Sequence, residues 1–316
     1  MLRILDSELS PVRSFELGED VTSFAVSPDL TRVVVGGRDR LSLVGERGEV
    51  LWSLRHTPWG TGYSYAGSCE FSADGSLVWA TVPETELESD EEDGLYEDEE
   101  EDEDQEEDGD GDAPGGGWRA PETWGDQWWA IDAATGSIVG RRWLGCEATG
   151  SVTHRHPDGV HMGLDVGEGQ DGSRIYWASH DDGVVQVSTT GDVSRALAAL
   201  HPDGDAYVTV PRDSDGISVH DFATRTVIAH RPNGDLLHSG EWVASARYLD
   251  RARVLVETAG KDGNRRRHLV LDAGDLTVLG EVAYPAAVGV SAFHSVHGGT
   301  WFTRDGGSLY QWRLEA

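Results

Sequence analysis

Three histidines stand close together in THRHPDGVHMG: His154, His156 and His161. Imidazole is a common zinc ligand, and residues two apart on a strand share a face, so His154 and His156 could hold one ion. His156, however, fills the first position of a recurring turn, taken by Ser27 in one copy and His201 in another. That recurrence assigns His156 to the turn, and neither a metal nor any other cofactor is expected. DGDGD at 108–112 opens like a calcium loop, but its sixth position is Ala113 instead of glycine and its twelfth is Arg119 instead of glutamate. Only diffuse cation condensation is expected there. Cys69 reads as a small buried thiol and not a nucleophile. The chain has no G-x-S-x-G elbow, no P-loop and no strand–G-x-G-x-x-G–helix unit. A non-enzymatic role is the expectation, with no catalytic residue assigned.

Charge narrows the partners. The formal net charge is −32 over 316 residues. Of 57 Asp and Glu, 20 fall in 84–112, which holds no Lys or Arg, so the other 37 stand against 25 bases. The remainder is an ordinary, moderately acidic globular chain, long enough to bury a core. Nucleic-acid backbones and anionic lipid surfaces both need clustered Lys and Arg, so neither is an expected partner. No apolar run approaches the ~18 residues of a membrane span. The N-terminus lacks a basic stretch followed by an apolar one, and two cysteines are sparse usage. A cytoplasmic protein with reduced thiols is expected.

The elements that would position these groups recur. Polar turns sit at 27–30 (SPDL), 72–75 (SADG), 156–159 (HPDG) and 201–204 (HPDG), with weaker relatives at 248–251 (YLDR) and 293–296 (FHSV). Proline presets φ, aspartate hydrogen-bonds locally and glycine accepts positive φ. Successive turns start 45, 84, 45, 47 and 45 residues apart, and the long interval contains the acidic run. Removing an insertion restores one period. Each unit reads as four short strands, with an aspartate before the turn that joins the third and fourth: LDSELS, IDAATG, HDFATR and LDAGD. No amphipathic helix of normal length is evident.

Four-stranded units of this period close radially as propeller blades. The S-P-D-G turns resemble those of the WD40-like β-propeller repeats of bacteria, and D-A-A-T-G is similar to blades of quinoprotein-type propellers. The Trp-Asp dipeptide is absent from the third strands, so the buried His–Asp network of eukaryotic WD40 proteins is not carried over. The expected fold is all-β: one six-bladed propeller over 1–316, closed by the N-terminal PVRSFEL as the outer strand of the last unit. The alternative is seven blades, since LRILD duplicates a third strand.

The acidic run, 84–117 with its glycine-rich end, is expected between the second and third strands of blade two. It lacks the apolar side chains to fold alone and reads as a disordered tether. One reading is a solvating loop. The sharper one is an electrostatic lure for a basic protein, on the face where propellers meet partners. Leu95 and Tyr96 would be its apolar anchor, beside acids such as Glu99, Asp102 and Asp104, with Trp118 and Trp124 as an aromatic approach. The expected function is thus a scaffold for protein partners, acting as a monomer or as a subunit of a hetero-complex. The alternative is a small-molecule or calcium-dependent propeller acting at its central channel.

Overall fold

The computed structural model describes the chain except for residues 7, 19, 61–66, 84–124, 170–171, 182–183, 191–193, 212–215, 261–265, 285–293, 297–298, 306–307 and 315–316. The described residues form strands and turns, with one 3-10 turn at Asn233–Asp235. β1 (Leu2–Leu5) and β2 (Pro11–Phe15) make a hairpin. Five four-stranded antiparallel meanders follow among the described residues. The first is β3 (Ser23–Val26), β4 (Arg32–Gly36), β5 (Arg40–Gly45) and β6 (Val50–Arg55). The second is β7 (Cys69–Phe71), β8 (Leu77–Val82), β9 (Gln127–Asp132) and β10 (Ile138–Trp143). The third is β11 (Gly150–Arg155), β12 (His161–Gly167), β13 (Ser173–Asp181) and β14 (Val184–Thr189). The fourth is β15 (Arg195–Leu200), β16 (Ala206–Pro211), β17 (Ile217–Asp221) and β18 (Val227–Arg231). The fifth is β19 (Glu241–Tyr248), β20 (Arg253–Gly260), β21 (Arg266–Asp272) and β22 (Val278–Glu281). A three-stranded sheet, β23 (His294–Val296), β24 (Thr300–Asp305) and β25 (Ser308–Arg313), completes the series.

Side chains alternate across each strand, and here both faces are apolar. On β8, Val78, Ala80 and Val82 pack with Leu43 and Trp52 of the first sheet, while Trp79 joins Trp128, Leu164 and Tyr176 on the other side. A core of this kind lies between each consecutive pair of sheets. Ile175 and Trp177 meet Leu197 and Tyr207, Val208 and Ile217 meet Ala246 and Val256, and Leu255 meets Trp301. First strands stand side by side, β3 with β7, β7 with β11, β15 with β19 and β19 with β23. No sheet of the five exposes a whole face.

The turns follow from their aspartates. Asp132 accepts the Ala134 and Thr135 amides at 3.1 and 2.7 Å, Asp221 the Thr224 amide at 2.7 Å, and Asp272 the Gly274 amide at 2.8 Å. The Thr135 and Thr224 hydroxyls and amides hold Asp132 and Asp221 below the usual carboxylate range. In the turns between first and second strands, the Ser27 hydroxyl donates to Asp29 and pulls its carboxyl down to about 2, with Thr31 adding to it.

Two expectations differ from the structure. Phe293 lies outside the described residues, but 294–296 is a strand paired with Thr300–Phe302, so the sixth turn falls at its end, where Gly299 has φ +75°. PVRSFEL was expected to complete the last sheet, yet Pro11–Phe15 pairs with Leu2–Leu5. A local cause is visible: Asp6 accepts the Glu8 and Ser10 amides at 2.9 Å, and Leu9 takes φ +61°, which closes a hairpin on the spot.

The last residue of the third-to-fourth-strand turn has positive φ as Gly136 (+76°), Arg225 (+63°) and Leu276 (+60°), so side chains are tolerated there. Gly136 differs because an added Cβ would stand 2.7 Å from Trp52 Cγ. Gly136→Ala should therefore cost about 1–3 kcal/mol through overpacking. Urea denaturation would check it, and an unchanged midpoint would remove this account of the Trp52 contact.

Candidate functional site

First strands bring polar groups to the inner edge of the sheets. There a cavity of about 750 Å³ is lined by Glu70, Thr153, His154, Arg155, Ala198 and Arg247 among others, with the turn residues Pro157, Pro202 and Asp250 at one end. Glu70 and Arg155 form an ion pair across the second and third sheets at 2.5 Å. Arg247 donates to the Ala246 carbonyl at 2.8 Å and closely to the Ala198 carbonyl of the neighbouring sheet. Burial holds its guanidinium below the ordinary value, and the charge of Glu257 opposes that. Glu257 is itself buried and paired with Arg266 and with the Ser245 hydroxyl.

His154 is the unusual member. Its Nε2 is buried without a hydrogen-bond partner among the described residues. Burial, reinforced by the Arg247 charge, pushes its pKa down to about 3. It is a neutral imidazole at ordinary pH. Beside a guanidinium and an ion pair, its unsatisfied nitrogen suits hydrogen bonding to a small polar ligand. Nucleophilic chemistry is not supported by the thiols. Burial raises both Cys69 and Cys146 to about 12, and both are free.

Leu95, Tyr96, Glu99, Asp102, Asp104, Trp118 and Trp124 all lie outside the described residues. Their frame is described: β8 ends at Val82, which pairs with Gln127 at the start of β9. The histidine cluster divides. His154 lies on β11 at the cavity, while His156 sits beyond the strand end and turns to the Gly204 carbonyl at 2.9 Å. His156 lies past the end of β11, at the turn position that its recurrence assigns to it. His161 instead joins His156 through Asp158. The roles of Glu70, Arg155, Asp158 and Arg247 were missed in the sequence. A faint signal existed, since Glu70 and His154 each stand two residues before a recurring turn, where strand polarity is otherwise apolar.

No protein-family model matches the chain, and no curated protein sequence does. Solved structures do. The β-propeller domain of Cps50 (Swd1) from Myceliophteria thermophila superposes with a TM-score of 0.57 at 12% identity, covering 94% of this chain and 84% of that one. The Dos1 propeller matches with a TM-score of 0.54 at 11% identity, over 98% and 70% of the two chains. Dihydro-heme d1 dehydrogenase NirN, solved in complex with DHE, matches with a TM-score of 0.57 at 16% identity. It covers 95% of this chain, which spans only 55% of NirN. These likenesses show the fold, a β-propeller, and nothing of the activity.

The His154 environment has a pH consequence. A histidine with a depressed folded pKa binds its proton more readily when unfolded. Between the unfolded value near 6.5 and about 3 the unfolded state therefore holds more protons, and stability falls as pH falls. The expected loss is below the ~1.4 kcal/mol per pH unit of one full proton. Comparing urea midpoints of wild type and His154→Gln from pH 7 to 4 checks it. The variant should show the shallower slope, and parallel slopes would sink the assignment.

Proposed function

We propose that this protein is a non-enzymatic scaffold that presents one edge of its propeller, with the acidic insertion, to a basic protein partner. The observation that carries this reading is the pairing of Val82 with Gln127. The chain leaves and re-enters the second sheet at neighbouring positions, so residues 84–124 form an insertion between adjacent strands. Within it 84–112 holds 20 carboxylates. Such a single-sign segment raises encounter rates with a cationic surface, and salt weakens the effect. Leu95, Tyr96, Trp118 and Trp124 supply apolar contacts within that charge. Six blades, matching the six units and their adjacent first strands, form the disc. The protein acts in the cytoplasm, alone or as a subunit of a hetero-complex. Neither nucleic acid nor membrane is its partner.

One observation favours a second reading. His154 Nε2, buried and unsatisfied beside the cavity, suits a small polar ligand held at the channel. Low-salt capture from native lysate, with the intact protein and a variant lacking 88–114, separates the two. The scaffold reading expects a basic partner on the intact form only, released by moderate salt. Identical partners on both forms would overturn the role of the insertion. No partner on either form would leave the channel reading.

A further inference from the structure

The turn between β11 and β12 gathers two imidazoles and a carboxylate. His156 is 2% exposed, and its ring stacks on Phe222 at 4.0 Å and 30°. Its Nε2 lies 2.9 Å from the Gly204 carbonyl oxygen, in the corresponding turn of the next sheet. A carbonyl only accepts, so Nε2 carries the hydrogen. In the neutral ring Nδ1 then holds a lone pair. That Nδ1 stands 2.9 Å from a carboxylate oxygen of Asp158 and 3.2 Å from the Asp158 amide. The other carboxylate oxygen of Asp158 is 2.6 Å from His161 Nδ1. Burial disfavours the Asp158 charge. The amides of His161 and Val160 and the two imidazoles outweigh it and hold the carboxyl well below its usual range.

His156 Nδ1 accepts the Asp158 amide, and the Asp158 carboxylate lies between the two imidazoles, an arrangement that hydrogen bonding within the turn or a bound cation accounts for. The fourth sheet tells the two apart. His201 reaches the next sheet in the same way, with Nε2 3.1 Å from the Arg251 carbonyl, but its Nδ1 is 2.7 Å from Asp205, two residues past the counterpart of Asp158. Five residues on, that turn has Ala206 where the third sheet has His161. This staple between sheets accounts for one histidine in each of these two turns, and His161 is an addition of the third sheet, held to Asp158. Only the third turn, among the described residues, brings three such ligand atoms within 4.8 Å of one another.

We propose that His156 Nδ1, Asp158 and His161 form a binding site for a divalent transition-metal ion of the imidazole-preferring class, such as Zn²⁺ or Ni²⁺. Two imidazoles and a carboxylate suit these ions. The hydrogen bond from His156 Nε2 to a backbone carbonyl, with Phe222 against the ring, is the outer support that fixes the tautomer and aim of a ligating histidine. Binding displaces the proton that His161 now shares with Asp158. Asp158 and His161 have side chains 36% exposed, so the ion is reached from solvent and water fills its remaining positions. The site stands at the turn edge, with His156 at the border of the cavity that His154 lines.

The test uses the full chain, stripped with chelator and titrated with Co²⁺ while the visible absorption is followed, then with Zn²⁺ by calorimetry in 0.3 M salt. The expected result is one tight equivalent with a cobalt–imidazole band. His161→Ala and His156→Ser should each weaken it at least about tenfold. His201→Ser should leave it unchanged, and so should removal of 88–114, which separates the site from condensation on the acidic run. Circular dichroism and melting of His161→Ala in chelator would show that the variant folds. No cobalt band, or equal affinity in His161→Ala, would overturn the proposal and leave an imidazolium–carboxylate pair only.

Discussion

Each of the five four-stranded sheets is apolar on both faces, and the rest of the structure depends on covering both. The adjacent residues Trp128 and Trp129 point to opposite sides of one strand, yet are 0% and 3% exposed. A sheet of that kind cannot lie on a solvated surface. It must stand between two neighbours, and repeating that requirement arranges the sheets side by side with their first strands inward. Solvent then meets mainly the two rims of turns and loops and the inner edge. Chemistry has only those places to occur. The cavity around His154 is at the inner edge, and the His156–Asp158–His161 group stands at the turns beside it.

The same packing sets what the charges do. Aspartates of the recurring turns are tied to backbone amides, as Asp29, Asp132 and Asp221 are, so they act as structural acceptors. A partner meets those charges already engaged. Within the sheets, cations are used across boundaries. Arg155 reaches Glu70 in the next sheet, and Arg32 reaches the Gly75 and Ala133 carbonyls. His156 and His201 each pin one turn to the next through a carbonyl. Polar contacts thus align sheets that apolar contacts only press together.

How much of this was legible depends on range. The repeat could be read because its turns use local chemistry, with Asp, Pro and Gly acting within four residues of one another. Where that chemistry fades the reading slips: 293–296 lacks a Pro-Asp-Gly mark, and the strand 294–296 was taken for the turn that follows it. The repeat pattern points the N-terminal strand to a distant partner, whereas Asp6 closes a hairpin locally and outcompetes that closure. The Glu70–Arg155 pair spans 85 residues and no local pattern announces it. The division between His154 and His156 was legible, because His156 recurs at the turn position of Ser27 and His201. The rule that places residues two apart on one face holds only inside a strand, and the strand ends at Arg155.

The position of the long insertion has a physical logic. Joining Val82 to Gln127 through 83–126, instead of a link like 37–39, lengthens the loop roughly fifteenfold and costs about 2 kcal/mol of closure entropy. The sheet that bears this cost also holds Trp79, Trp128 and Trp129, each at most 3% exposed, on the two strands that flank the insertion. Burying a tryptophan is worth about 3–5 kcal/mol against alanine. Trp79 and Trp128 further meet each other at 5.2 Å, and the Trp129 indole donates to Gln127 at 2.8 Å. Strand pairing beside the insertion is thus secured by aromatic burial on both faces. A chain can carry a highly charged segment at that point because the register on either side does not rely on the length of the link.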